Sequence, residues 1–134
     1  MPKFSTASRE RLATCVDDLQ RVMVEAIKIM DFTVVEGHRG KAAQNIAFNK
    51  GLSQKQWPNG EHNSEPSRAV DITPYPIDWS DAEKNTQRMV LLAGIVLACA
   101  FHLGIKLRWG GDWNMNGDTR DEHFRDYGHF EVFP

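Results

Sequence analysis

Apolar residues return at three- and four-residue steps through Leu12, Cys15, Val16, Leu19, Val22, Met23, Ala26, Ile27 and Met30, the period of one face of an amphipathic helix. Ser8 stands where an N-cap belongs, so the spacing predicts one helix from about Ser8 to Met30. Phe32-Thr33-Val34-Val35 is β-branched and aromatic and stops at Glu36-Gly37, which predicts a strand and then a turn. Gly40 to Lys50 reads as a short helix closed by Gly51, and the polar stretch from Ser53 to Ser67 reads as a loop. Arg68 to Thr73 resumes strand character until Pro74 and Pro76 block its extension. Ser80-Asp81-Ala82-Glu83 has capping-box spacing and opens a helix from about Asp81 to Leu103. The second half of that helix is apolar on nearly every side, so it is expected to be the most buried element. Ile105 to Trp109 and Tyr127 to Phe133 are two further strands, separated by a polar loop from Gly110 to Arg125. About three helices and four strands in this order predict an α+β fold, with helices packed on a small, mainly antiparallel sheet.

Composition narrows the class. The 134 residues, 41% hydrophobic and 25% charged, suit a single domain spanning 1–134 with one core. Sixteen basic against eighteen acidic residues give a net charge of −2, which argues against nucleic acid as a partner. The balance is uneven, +3 over residues 1–60 and −5 over 61–134, so acidic oxygen ligands gather in the second half. No signal peptide is visible at the start, and the most apolar run, Met89 to Leu103, falls short of the roughly 20 residues that cross a bilayer, so no stable membrane insertion is expected. Cys15 and Cys99 read as small core residues rather than a disulfide or a zinc pair. With no amphipathic helix to spare for an interface, a monomer is expected.

Two of the five histidines keep company that a core histidine does not need. His62 precedes Asp71 by nine residues, and His129 follows Asp126 by three. Two neutral imidazoles and one carboxylate make a three-ligand set for a catalytic zinc, leaving a fourth position for water whose pKa zinc lowers to about 7. A hydrolase also needs a carboxylate to carry the proton from water to the leaving amine, and Asp126 is placed for that role. Spacing alone leaves the ordinary reading open, in which such residues are surface groups or satisfied core groups.

The segment from Glu61 to Pro76, with Gly37-His38-Arg39 upstream and Asp126-Tyr127-Gly128-His129-Phe130-Glu131 downstream, resembles the M15 family of zinc peptidases. Within it the chain looks most like the phage endolysin branch, the L-alanyl-D-glutamate peptidases, whose relatives include D-Ala-D-Ala carboxypeptidases. The resemblance runs from Phe4 to Glu131 and implies a hedgehog/D-Ala-D-Ala-peptidase-like fold. It implies further that His62, Asp71 and His129 bind Zn2+, that Asp126 is the general base and acid, and that Arg39 contacts the substrate. A guanidinium at Arg39 suits the oxyanion of a tetrahedral intermediate, because it is always charged and offers forked donors.

The expected reaction is hydrolysis of the L-Ala-D-Glu bond of the peptidoglycan stem peptide by an endolysin held in the host cytoplasm until lysis. A D-alanyl-D-alanine carboxypeptidase and a non-catalytic cell-wall binding module are the rivals. The chain departs from the usual family pattern in three places: Gly60 replaces a serine, the His62-to-Asp71 step is nine rather than seven, and His38 stands where an aromatic is common.

Asp112, Asn114, Asn116 and Asp118 alternate ahead of a glycine turn like the first half of a calcium loop, so they are candidate Ca2+ ligands. The twelfth position is His123 rather than a bidentate glutamate, and a plain polar turn is the competing reading. Trp113, in the same loop, is the candidate wall of a substrate groove. Glu131, two residues after His129 on a strand, faces the same side and suits the role of orienting a metal-binding imidazole.

Overall fold

The computed structural model describes residues 2–133. Its elements run α1 (Thr6–Leu12), α2 (Asp17–Ile27), β1 (Phe32–Glu36), α3 (Lys41–Asn49), a single 3-10 turn (Glu61–Asn63), β2 (Ala69–Pro74), α4 (Ala82–His102), β3 (Leu107–Gly110) and β4 (Asp126–Val132). The strands form one antiparallel sheet in the order β1-β2-β4-β3, the α+β arrangement that the alternation of patterns predicts, with four α-helices rather than three.

The extra helix arises because the long N-terminal helix is interrupted. Residues 13–16 leave the helical path to pair with Ser67: Val16 N–H donates to Ser67 O at 2.8 Å and Ser67 N–H donates to Thr14 O at 2.8 Å. Ser5, not Ser8, caps α1, and the Ser8 hydroxyl is buried, accepting from Val34 N–H at 3.0 Å. The three- and four-residue apolar period carries across this break, so periodicity alone could not see it.

Leu19, Val22, Met23 and Ala26 of α2 and Leu92, Ala93, Val96 and Ala100 of α4 close over Val34, Val70, Ile72 and Phe130 of the sheet. α4 is less buried than its composition predicts. Leu91 is 61% and Phe101 89% exposed, because α2 and the sheet cover only one side of the helix. Its cap is Asp81, whose carboxylate accepts from Lys84 N–H at 3.1 Å, while the Ser80 hydroxyl is engaged with Asp78.

With Val70, Ile72 and Phe130 turned to the helices, strand alternation sends Asp71, His129 and Glu131 to the opposite face. The register pairs Asp71 directly with His129 across the two central strands. Alternation counted back from His129 would place Asp126 on the core side. A register irregularity between Trp109 and Gly110, where Gly110 pairs with Asp126, coincides with Asp126 lining the same cleft as His129.

Candidate active site

Three elements bring three side chains to one point. His62 arrives on the 3-10 turn, Asp71 on β2 and His129 on β4, and one ligand atom from each lies within 4.8 Å of the others. His62 Nε2 is 3.2 Å and His129 Nδ1 3.1 Å from the same oxygen, Asp71 Oδ1. Ligand bonds of about 2.0–2.2 Å in a tetrahedron set donor atoms roughly 3.4 Å apart, so this spacing fits a zinc-sized ion.

The outer ring nitrogens decide which inner atoms are available. His62 Nδ1 lies 2.7 Å from Gly37 O, a carbonyl that only accepts, so this nitrogen carries the proton and Nε2 presents its lone pair. His129 Nε2 donates to Glu131 Oε1 at 2.8 Å, leaving Nδ1 turned inward. Two lone pairs facing a carboxylate require a cation between them, either a proton or a metal.

The pKa shifts express the same demand. Burial works against charge on Asp71, but hydrogen bonds with His129 and His62 outweigh it and hold the carboxyl well below the usual carboxylate range. Burial likewise disfavours charge on His129, yet its hydrogen bonds to Asp71 and Glu131 raise its pKa to about 9.

Around this cluster lies a cleft of about 280 Å³, lined among others by Arg39, Trp113, Phe124 and Asp126. Burial, reinforced by the charge of Asp71, raises the Asp126 pKa, against the pull of His129, His62 and Arg39. Arg39 is only 13% exposed and tightly held: Nε and Nη2 donate to Glu36 Oε1, Nη1 donates to Gln44 Oε1 at 3.1 Å, and Nη2 lies 3.5 Å from Asp71 Oδ2. Its backbone is tied to the 3-10 turn as well, through Arg39 N–H to His62 O at 2.7 Å and Asn63 Nδ2 to Arg39 O at 3.0 Å. Trp113 packs against His129 with ring centroids 5.3 Å apart and against Phe124 at 6.2 Å.

The departures from the usual pattern acquire local reasons. A Cβ at position 60 would lie 2.7 Å from Asn63 Oδ1, the oxygen that accepts from Gly60 N–H, so a serine here would require the Asn63 side chain to shift. The nine-residue step is taken up between the 3-10 turn and β2 without disturbing the His62–Asp71 contact. His38 turns to the loop, its Nδ1 3.0 Å from Ser64 O.

The candidate calcium residues lie in the 111–125 loop, bonded mainly to other residues of the same loop. Asp112 accepts from Asn116 and Gly117 N–H, Asp118 accepts from Arg120, and the Asn114 and Asn116 amides both donate to Asp121 Oδ2 at 3.1 and 2.7 Å.

Gln44, Glu36 and Arg108 are missed by motif reasoning. Gln44 is 1% exposed and joins Arg39, Asn63, Ser53 and Lys55 O. Only the three-residue spacing of Glu36 and Arg39 offered a local signal; the others depend on tertiary register.

The match of the whole chain decides the family. A family model described as phage L-alanyl-D-glutamate peptidase matches residues 1–133. The chain belongs to that family. It is 38% identical, over 146 aligned positions and 97% of each chain, to the L-alanyl-D-glutamate peptidase of Escherichia phage T5. Among solved structures it is similar to the Serratia marcescens L-Ala D-Glu endopeptidase ChiX, with a TM-score of 0.74 and 28% identity over 98% of this chain and 90% of that one.

Proposed function

We propose that this chain is a zinc-dependent peptidoglycan hydrolase that cleaves the L-Ala-D-Glu amide bond of cell-wall stem peptides. The observation that carries the proposal is the convergence of His62 Nε2, Asp71 Oδ1 and His129 Nδ1 in a cleft shared with Asp126 and Arg39. The names of its family and relatives supply the bond.

Held by these three side chains, zinc would supply Lewis-acid polarisation of a water and of the scissile carbonyl. Asp126 takes the proton of the attacking water and returns it to the departing amine, and its raised pKa favours that return. Arg39, fixed by Glu36 and Gln44, donates to the carbonyl oxygen as negative charge develops there, and its restraint means that little reorganisation is needed during the reaction. The Trp113 ring walls the groove in which the peptide lies.

Removing metal with a chelator should abolish hydrolysis of purified peptidoglycan, and stoichiometric zinc should restore it. Hydrolysis that persists in the metal-stripped protein contradicts the proposal.

The 111–125 loop is a calcium site in this reading, with Asp112, Asn114, Asn116 and Asp118 as ligands. What supports it is the alternation of these four oxygen-bearing side chains, with Gly117 turning the backbone at positive φ between Asn116 and Asp118. Residues 1–134 act as one monomeric catalytic domain. Among the described residues no helix is long and apolar enough to cross a membrane. The enzyme waits in the host cytoplasm and reaches the wall through a pore made by another phage protein.

A further inference from the structure

Behind the metal cluster lies a chain of contacts that ends on a residue outside every motif. Arg108 on β3 stands across from Glu131 on β4 in the antiparallel register. Its Nη2 donates to Glu131 Oε2 at 2.7 Å, and the other Glu131 oxygen accepts from His129 Nε2 at 2.8 Å. The guanidinium lies over two rings, with Cζ 4.9 Å from the Phe133 centroid and 5.7 Å from that of Trp113. In this pose Nε is buried with no hydrogen-bond partner. A guanidinium that leaves a buried donor unpaired is held by something other than its own hydrogen-bond count. Here the fixed points are the Glu131 carboxylate and the two rings.

We propose that Arg108 is a positioning residue of the metal centre: it locks Glu131, which fixes the His129 ring with Nδ1 turned to His62 and Asp71, and its stacking on Trp113 ties the 111–125 loop to the same centre. The inference rests on the reading of His62, Asp71 and His129 as a metal site. Glu131 is 5% exposed and has two oxygens to satisfy. Without Arg108, one of them loses its partner and the carboxylate is free to rotate away from His129. A carboxylate that wanders no longer selects the Nε2–H form of the ring, so the inward nitrogen is presented for only part of the time. The alternative is that Arg108 merely neutralises a buried acid and contributes to folding alone.

Zinc affinity of the full-length protein separates the two, measured by competition with a chromophoric chelator, alongside the melting temperature of the metal-stripped protein. Arg108→Met should weaken zinc binding by about ten- to a hundredfold, the range typical when a partner behind a metal-binding histidine is lost. Arg108→Lys, which keeps the charge and one donor, should recover part of that loss. If Arg108 works through Glu131, then Arg108→Met added to Glu131→Gln should weaken zinc no further than Glu131→Gln alone.

Unchanged zinc affinity in Arg108→Met, even with a lowered melting temperature, overturns the proposal, and so does an additive double variant. Should Arg108→Met fail to fold, Arg108→Gln carries the same comparison. Wild-type protein that takes up no zinc sinks the metal-site reading itself and is distinguished from failure at Arg108 by that control.

Discussion

Adding one methyl group at Gly110 tests whether the place of Asp126 matters. Gly110 pairs with Asp126 at the irregularity between β3 and β4. A Cβ built there lies 2.0 Å from Asp126 O, 2.9 Å from its carbonyl carbon and 3.0 Å from its Cβ. Widening the shortest contact from 2.0 to 3.0 Å displaces Asp126, or β3 against it, by about 1 Å. Misplacing a catalytic group by that much costs on the order of a hundredfold in rate, which corresponds to about 2.7 kcal/mol of barrier. Gly110→Ala should therefore lower kcat/KM on a soluble L-Ala-D-Glu stem peptide about a hundredfold. Zinc stoichiometry should hold, because the atoms nearest the new methyl belong to Asp126 and to none of the three metal-binding side chains. Zinc content and a thermal melt, run on the same preparation, separate displacement of the base from loss of fold. A folded, zinc-loaded Gly110→Ala protein with wild-type turnover would refute the positioning argument and with it the role given to Asp126.

Other perturbations follow from the same geometry. Asp126→Ala should keep zinc and lose hydrolysis by about a hundredfold or more, whereas His129→Ala should lose both; a fully active Asp126→Ala protein would remove the proposed base. Because hydrogen bonds to Asp71 and Glu131 raise the His129 pKa from 6.5 to about 9, protonation of that ring stabilises the metal-stripped fold fully below pH 6.5. That stability is lost as pH rises through about 9, so the melting temperature of the stripped protein should fall over this window. The same proton must leave when metal enters, so zinc binding near neutral pH should release about one proton. Calorimetry in buffers of different ionisation enthalpy reads this release, and a buffer-independent heat would contradict it. If the 111–125 loop takes calcium, a calcium-selective chelator should reduce activity while zinc stays bound; unaltered activity removes calcium from the account.

Much of the sheet was legible because short β-branched runs ending at glycine or proline mark strands wherever they pack. The four strand readings fall within about two residues of β1 to β4 at each boundary. The N-terminal helix was misread for a physical reason: the pairing of residues 13–16 with Ser67 is a long-range contact, and the apolar period continues through it. Composition misjudged α4 similarly, since an apolar helix can still leave Leu91 and Phe101 in solvent when only one side has a partner.

In the site, His62, Asp71, His129, Asp126 and Arg39 carry motif spacing, and the structure gathers all five around one cleft. Glu131 was accessible through simple alternation from His129, and its hydrogen bond to that ring follows the expectation. Gln44 and Arg108 were hidden, because a glutamine inside a short helix and an arginine in a strand have no distinguishing local pattern. Their significance comes from what the fold places beside them.

The central claim is tested most directly by mass spectrometry of the products formed when zinc-loaded protein acts on purified peptidoglycan and, in parallel, on soluble stem peptides. The account predicts fragments with a new D-Glu amino terminus, absent from reactions with the metal-stripped protein. Release of free D-Ala in their place, or intact stem peptides in the presence of zinc-loaded protein, would contradict it.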